Sequence, residues 1–139
     1  MRTSIERPFK PVELDATTAE SFALLALAQQ LMADKAYTEH GRAGLTLVHG
    51  EGLTLVLTVV RAGRACEQHM SEGPTVLLVL SGAITVALEK TTERILLESG
   101  AAVALVPEIL HAVEARHDSA FLTIIGAQEE LRTFKSDAE

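Results

Sequence analysis

Residues 75–106 read TVLLVLSGAITVALEKTTERILLESGAAVALV, and this stretch decides the fold. It divides into four apolar segments rich in Val, Ile, Leu and Thr, which are residues 75–80, 83–89, 93–98 and 102–106. Short runs of this composition, set off by Gly, Ser and charged turns such as Ser81-Gly82, are typical of β-strands. The turns are too short to hold crossover helices, so the strands must pair in the antiparallel sense.

The same pattern continues on both sides of this stretch. Further strands are predicted at residues 45–49, 53–61, 66–70, 110–115 and 119–125. So many strands in so short a chain leave no room for helices between them, which predicts an all-β, antiparallel domain. Open edges of such apolar strands would aggregate, so the pattern favours a small sandwich or a closed barrel.

One helix is predicted before the strands and one after them. Residues 17–20 (Thr-Thr-Ala-Glu) fit a capping box, and the apolar residues behind them predict a helix over 17–35. Residues 127–134 predict a short C-terminal helix that is followed by a frayed tail. We therefore interpret the chain as one domain in three parts, which are an N-terminal arm and helix (1–44) packed on the barrel, a β-barrel (45–126), and a short C-terminal helix and tail (127–139).

The composition excludes several classes of protein. The chain has 139 residues and a net charge of −7, so it lacks the basic surface of a protein that binds nucleic acid. Its single cysteine, Cys66, excludes an intramolecular disulfide and a multi-cysteine zinc site. No apolar run is long enough to span a bilayer and no signal peptide is visible, so we expect a cytoplasmic protein with no membrane partner.

Five histidines are the candidates for site chemistry. His40, His49 and His117 lie in or beside predicted turns, which favours an ordinary surface role. His69 and His111 lie instead among predicted strands, each with a glycine and a proline at a suggestive distance. We therefore take His69 and His111 as the candidate site residues.

Gly63, His69 and Gly82 follow the spacing of the first cupin motif, and Gly100 and His111 follow that of the second. Over residues 45–125 the chain thus resembles the cupins, and within them a group of small single-domain bacterial cupins whose activity is largely unassigned. The resemblance implies a jelly-roll β-barrel and a homodimer. A homodimer is also favoured because a strand that is apolar on both faces needs cover on both faces.

The resemblance implies a metal site as well, but with a degenerate ligand set. Metal-dependent cupins bind their metal through three His and one Glu, and the matching positions here hold His69, Ser71, Thr75 and His111. Hydroxyl groups are poor ligands for transition metals. Glu67 has the strand parity of His69, which makes it a candidate third ligand. The sequence therefore gives His69, His111 and Glu67 as candidate ligands of Zn, Ni, Mn or Fe, and leaves open whether a metal binds.

Two functions remain open from the sequence. The favoured one is a small-molecule-binding protein whose barrel pocket is centred on His69 and His111, with Ser71 and Thr75 beside them. Two buried imidazolium charges would repel each other, so at least one of these histidines is expected to be neutral at pH 7. The alternative is an enzyme, either a metal-dependent oxygenase or isomerase with a non-standard ligand set or a metal-free enzyme with a histidine base. No catalytic residue is assigned, and a sugar epimerase is disfavoured because the one tyrosine, Tyr37, lies outside the predicted strands.

Overall fold

The structure is a computed structural model that describes residues 1–15 and 17–127, and for Glu67–His69 it describes the backbone alone. The helices in this part of the chain are α1 (Leu24–Met32) and α2 (Lys35–His40), and neither is long and apolar enough to cross a membrane. The strands are β1 (Arg42–His49), β2 (Leu53–Val60), β3 (Ala65–His69), β4 (Thr75–Ser81), β5 (Ala83–Leu88), β6 (Arg94–Glu98), β7 (Ala102–Leu105), β8 (His111–Ala115) and β9 (Ser119–Gly126). The predicted C-terminal helix (127–134) lies, apart from its first residue, outside the described residues.

All nine predicted strands are present, and every pairing between them is antiparallel. They form a five-stranded sheet of order β1-β2-β9-β4-β7 and a four-stranded sheet of order β3-β8-β5-β6. The prediction of an all-β, antiparallel domain is therefore confirmed, in the form of two sheets. Closure of the two sheets into a barrel stays a prediction.

The inner faces of the two sheets pack on each other and form one of two apolar cores. Val60, Leu77 and Phe121 come from the five-stranded sheet, and Ile84 and Val113 come from the four-stranded sheet. None of these side chains is more than 4% exposed. Because successive side chains of a strand point to opposite faces, one parity of each strand enters this core.

The outer face of the five-stranded sheet is apolar as well, and helix α1 covers its β1–β2 half. Leu57 and Leu122 are directly opposite each other in the β2–β9 pair, and they pack with Leu27 and Leu31 of α1. All four residues are at most 4% exposed. The two-sided apolar pattern of residues 53–60 is thus satisfied, because one face meets the second sheet and the other meets the helix.

The N-terminal helix is shorter than predicted, and the predicted capping box is wrong. The helix begins at Leu24, and the amide and hydroxyl of Thr17 both donate hydrogen bonds of 2.8 Å to Asp15 Oδ1. Glu20 pairs with Arg2 at 3.5 Å instead of turning back to the helix start. Local side-chain bonds of this kind hold residues in turns and compete with helix formation.

The N-terminal arm is tied to the rest of the domain by short parallel bridges. Arg2 is bridged to Phe22, and Val12 is bridged to Val48 of β1. The guanidinium of Arg2 also lies over the ring of Phe9, 5.2 Å from its centroid. Residues that precede the first helix therefore join the cover of the five-stranded sheet.

The turn between β4 and β5 brings the two sheets into close contact. Gly82 has a φ of +84°, and a Cβ at this position would lie 2.3 Å from Ser119 Oγ and 2.5 Å from the carbonyl oxygen of Asp118. Ser119 is fully buried, and its hydroxyl accepts a hydrogen bond of 3.0 Å from the amide of Ala83. This contact joins the start of β9 in one sheet to the start of β5 in the other.

Replacing Gly82 with Ala is expected to destabilise the protein more than replacing Gly100 with Ala. Both glycines have a left-handed φ, of +84° and +88°, which costs any L-residue about 1–2 kcal/mol. Only at Gly82 does the new methyl group also meet backbone and side-chain atoms, since a Cβ at Gly100 would have nothing within 4 Å. Urea unfolding of both variants measures the difference, and equal losses of stability would show that the contact at Gly82 has no energetic role.

Candidate functional site

His111 lies on the inner face of β8, at one end of the gap between the sheets. The buried residues of this strand are His111, Val113 and Ala115, whereas Glu114 is exposed. His111 is only 1% exposed, and its Nδ1 lies 3.2 Å from the carbonyl oxygen of Ile109. Because a carbonyl oxygen can only accept, Nδ1 is the donor in this contact.

The backbone register places the two candidate histidines side by side. His69 is directly opposite His111, and Cys66 is directly opposite Val113, with a register shift between Cys66 and His69. Three steps along β3 thus match two along β8, as in a β-bulge. The strict period of two that placed Glu67 on the face of His69 does not hold across such a shift. The roles of His69 and Glu67 as ligands stay predictions, because only their backbone is described.

Ser71 and Thr75 lie on either side of the β3–β4 turn. The carbonyl of Ser71 accepts a hydrogen bond of 2.8 Å from the amide of Glu108, which ties this loop to the loop that precedes His111. Thr75 is 3% exposed, and its hydroxyl donates to the carbonyl of Gly73 at 3.2 Å. The two loops therefore meet at the end of the gap where β8 begins.

Of the three candidate metal ligands, the structure describes the side chain of His111 and only the backbone of His69 and Glu67. Within the described part of the chain, no three His, Cys, Asp or Glu side chains lie close enough to share a metal ion. His111 supplies one imidazole, while the hydroxyl of Thr75 is already bonded to a carbonyl. A catalytic metal site needs about three protein ligands.

Several threonines line the same gap and are not among the predicted site residues. They share the inner face of β1, β2 and β9 and are all partly exposed; they are Thr46, Thr54, Thr58 and Thr123. The register shows the common face, because Thr58 is opposite Phe121, which packs in the core between the sheets. Val56 is opposite both Thr46 and Thr123, so these two hydroxyl groups flank one apolar side chain.

In the sequence, the alternation in residues 53–60, LTLVLTVV, places threonines on one face of the predicted strand. Leu55 and Leu57 belong to the helix-covered face, and Thr54, Val56 and Thr58 belong to the inner face. Threonine has a high β-propensity, so it fits a strand without indicating a site. Only the pairing of three strands shows that these hydroxyl groups share one surface.

The inward positions of five strands around His111 carry no fixed charge, whereas Arg42, at the start of β1, lies opposite the inward Val60. On the inward positions of β2, β4, β5, β8 and β9, the side chains are apolar residues, Ser, Thr and His111, with no Asp, Glu, Lys or Arg. Threonine hydroxyl groups both donate and accept hydrogen bonds. A neutral molecule with hydroxyl or carbonyl groups fits such a lining, whereas a charged one would lose its hydration without compensation.

Cys66 faces this interior from β3. It is partly buried and packs against the core between the sheets. Burial raises the pKa of the Cys66 thiol, and the guanidinium of Arg42 opposes part of that rise. The thiol is therefore protonated near neutral pH, when it is a poor nucleophile and a poor metal ligand.

The architecture is similar to that of solved cupins. A cupin superfamily protein from Desulfitobacterium hafniense matches with a TM-score of 0.65 at 16% identity, over 83% of this chain and 98% of that one. KdgF from Halomonas sp. matches with a TM-score of 0.57 at 23% identity, over 65% and 82% of the two chains. Salicylate 1,2-dioxygenase from Pseudoaminobacter salicylatoxidans matches with a TM-score of 0.61 at 18% identity, over 69% of this chain and 31% of that one. The chain therefore has the cupin fold, as the two motifs implied.

The likeness extends to the fold and not to the activity. No family model matches the sequence, and no curated protein matches it. At identities of 16% to 23%, a shared fold carries no ligand or reaction from one protein to another.

Cys66 is expected to react slowly with iodoacetamide in the folded protein. Only the thiolate attacks the reagent, and burial raises the pKa of this thiol. The rate of alkylation should therefore rise at a higher pH than in the urea-unfolded protein, where a free cysteine has a pKa of about 8.5. Mass spectrometry across a pH series measures both profiles, and a folded profile at or below the unfolded one would contradict the inward placement of Cys66.

Proposed function

We propose that the protein binds a neutral, hydroxyl-bearing small molecule in the gap between its two sheets, at the end that holds His111. The inner face supports this proposal, because it joins a buried imidazole to partly exposed threonine hydroxyl groups and apolar side chains. In the proposed complex, His69 completes the polar centre opposite His111, and Ser71 and Thr75 lie beside it. Pockets for small ligands commonly have this character, with a few hydrogen-bonding groups in an apolar lining.

Binding is favoured over turnover by the scarcity of titratable groups on the inward face. Among the inward side chains that the structure describes on the strands around His111, the titratable groups are His111 and Cys66, and the pKa of Cys66 is raised by burial. A single buried imidazole can orient a ligand by hydrogen bonding. General acid–base catalysis needs a positioned acid or base with a matched pKa, and among the described inward side chains no second group is placed for that role.

The Thr123→Val variant is expected to bind such a ligand more weakly than the wild type. Valine keeps the shape of threonine but removes the hydroxyl, and loss of one hydrogen bond weakens binding by about five- to tenfold. A thermal-shift screen of neutral monosaccharides and polyols identifies the ligand. Calorimetry then measures its affinity for the wild type and the variant. Thr92→Val is the matched control, because Thr92 is exposed in the β5–β6 turn.

Two outcomes would contradict this proposal. One is a panel in which sugar acids or amines stabilise the protein and no neutral compound does. The other is a stoichiometric divalent metal in protein purified without an affinity tag, retained in His49→Ala and lost in His111→Ala. That result would favour the metal-dependent enzyme. Its affinity for the metal should then decrease when the pH is lowered below about 6, because imidazole ligands must be deprotonated.

We also propose that the protein is a homodimer that pairs through the uncovered part of the five-stranded sheet. Helix α1 packs over β1 and β2, and α2 packs over β1. The outer positions of the neighbouring strands form an apolar β4–β7 face, which consists of Val76, Leu78, Ala102, Ala104 and Ile124. The two alanines are exposed, and the three larger side chains are partly exposed.

The charge of the protein favours a second copy as the occupant of the β4–β7 face. Each copy carries a net charge of −7, so two copies repel each other wherever charged surfaces meet. The β4–β7 face has no charged residue, so two copies can meet there without opposing like charges. A partner of opposite charge would be recognised by charged groups that this face lacks.

Light scattering at micromolar concentration is expected to give about twice the chain mass of 14.9 kDa. Ala104→Lys should give the monomer, because a lysine there would be buried without a partner in the dimer and exposed in the monomer. Leu96→Lys is the matched control, since Leu96 is 56% exposed on a strand of the other sheet. A monomeric wild type, or a dimer that is lost in the control and kept in Ala104→Lys, would overturn this assignment.

A further inference from the structure

A polar cavity that is open to the surface lies at the opposite end of β3 from His111. Its volume is about 590 Å³, and it is lined by His40, Arg42, Gly63, Arg64 and Ala65. Ala65 begins β3, and the partner of His111 ends it. At about 3.3 Å per residue, the two ends of this strand are about 13 Å apart. The cavity is therefore separate from the proposed ligand pocket.

The side chain of Arg64 is held in this cavity by a glycine. Gly41 ends helix α2 with a φ of +80°, and a Cβ at Gly41 would lie 2.7 Å from Arg64 Cγ and 3.0 Å from its Nε. The arginine stem thus lies directly over the glycine backbone. The backbone of Arg64 is also fixed, because its carbonyl accepts a hydrogen bond of 2.9 Å from the amide of Ala115 in β8.

Arg42 approaches the same cavity from the first residue of β1. Its Cα is paired with that of Val60, and its Nη1 lies 3.4 Å from the carbonyl oxygen of Ala65. Among the described side chains, neither Arg42 nor Arg64 lies within 4.0 Å of a carboxylate oxygen; the ion pairs involve Arg2, Arg7, Lys35 and His40 instead. The chain has 19 Asp and Glu against 12 Lys and Arg, so a lack of carboxylates does not explain why no described carboxylate pairs with these two arginines.

Two carboxylates lie near the cavity without neutralising the arginines. Glu39 is 4.0 Å from Nε2 of His40 and also pairs with Lys35, at 3.8 Å. Glu114 is opposite Ala65 in the β3–β8 pair and is exposed. Neither is within ion-pair distance of a guanidinium in this cavity.

We propose that this cavity binds a small phosphate-bearing anion through the guanidinium groups of Arg42 and Arg64, with His40 at its edge. A guanidinium presents parallel N–H donors that match two oxygens of a phosphate, and an anion between two such groups relieves their mutual repulsion. A volume near 590 Å³ is in the range of small-molecule sites. The net charge of −7 opposes approach to nucleic acid or to an anionic bilayer, so a small soluble anion is the favoured occupant.

Calorimetric titration with inorganic phosphate and with glycerol phosphate, at constant ionic strength, tests this proposal. Saturable binding of one anion per chain is expected, and Arg42→Met and Arg64→Met should each weaken it at least about tenfold. Both side chains are exposed, so circular dichroism should show that the variants remain folded. Arg94→Met, an exposed arginine on β6, makes the same change in net charge and should bind as the wild type does.

Two results would overturn the proposal. If Arg94→Met weakens binding as much as the cavity variants do, the anion responds to overall charge and not to this cavity. If vesicles of anionic phospholipid bind through Arg42 and Arg64 while neither soluble phosphate compound does, the cavity serves a lipid headgroup. Arg64→Lys adds a further check, because it keeps the charge but loses the paired donors and should bind less tightly than the wild type.

Discussion

The five-stranded sheet is apolar on both faces, and the rest of the structure follows from the need to cover each of them. Leu57 and Val60 lie on opposite faces of β2, and both are completely buried. One face meets the four-stranded sheet, which explains why the strands divide into two layers. The other face meets α1, which explains why residues before the first strand belong to the same domain. Because α1 is only nine residues long, its contacts with the sheet are mainly with β1 and β2.

The gap between the sheets changes in character from one end to the other. At the Gly82 end, Phe121 and Ile84 pack tightly, and the contact with Ser119 leaves no room even for a methyl group. At the His111 end, the inward side chains include threonine hydroxyl groups that are only partly buried. A tightly packed end holds the two sheets in fixed positions, and this rigidity lets the looser end present its polar groups in a constant geometry.

The strands could be predicted from the sequence because their signal is local. Residues 75–106 alternate between apolar runs and turn residues, and each strand falls where the alternation places it. The helix start could not be predicted in the same way. Thr17 has the right neighbours for an N-cap, but Asp15 takes up its amide and hydroxyl. Two local patterns compete there, and a sequence motif does not show which one the tertiary contacts favour.

The candidate site could be predicted from the sequence only in part. The position of His111 follows from motif spacing, whereas the face of Glu67 depends on a register shift that no periodicity reveals. The threonines depend on which strands become neighbours, and that is a property of the whole sheet. Neighbour pairs such as Val56 and Thr123 are 67 residues apart in sequence, so local pattern carries no information on them.

Hydroxyl groups at two positions of the metal-ligand motif and threonines on the opposite sheet both favour a neutral ligand over a metal ion. A divalent ion needs imidazole and carboxylate donors, and Ser71 and Thr75 stand where the resemblance places two of them. Hydroxyl groups at those positions are unsuited to a bare cation but suited to a neutral ligand, because each can donate or accept according to what it meets. Thr46, Thr58 and Thr123 extend the same chemistry across the opposite sheet. The proposed binding site and a dioxygenase can therefore share one fold, since the chemistry depends on a few inward side chains and not on the strands that carry them.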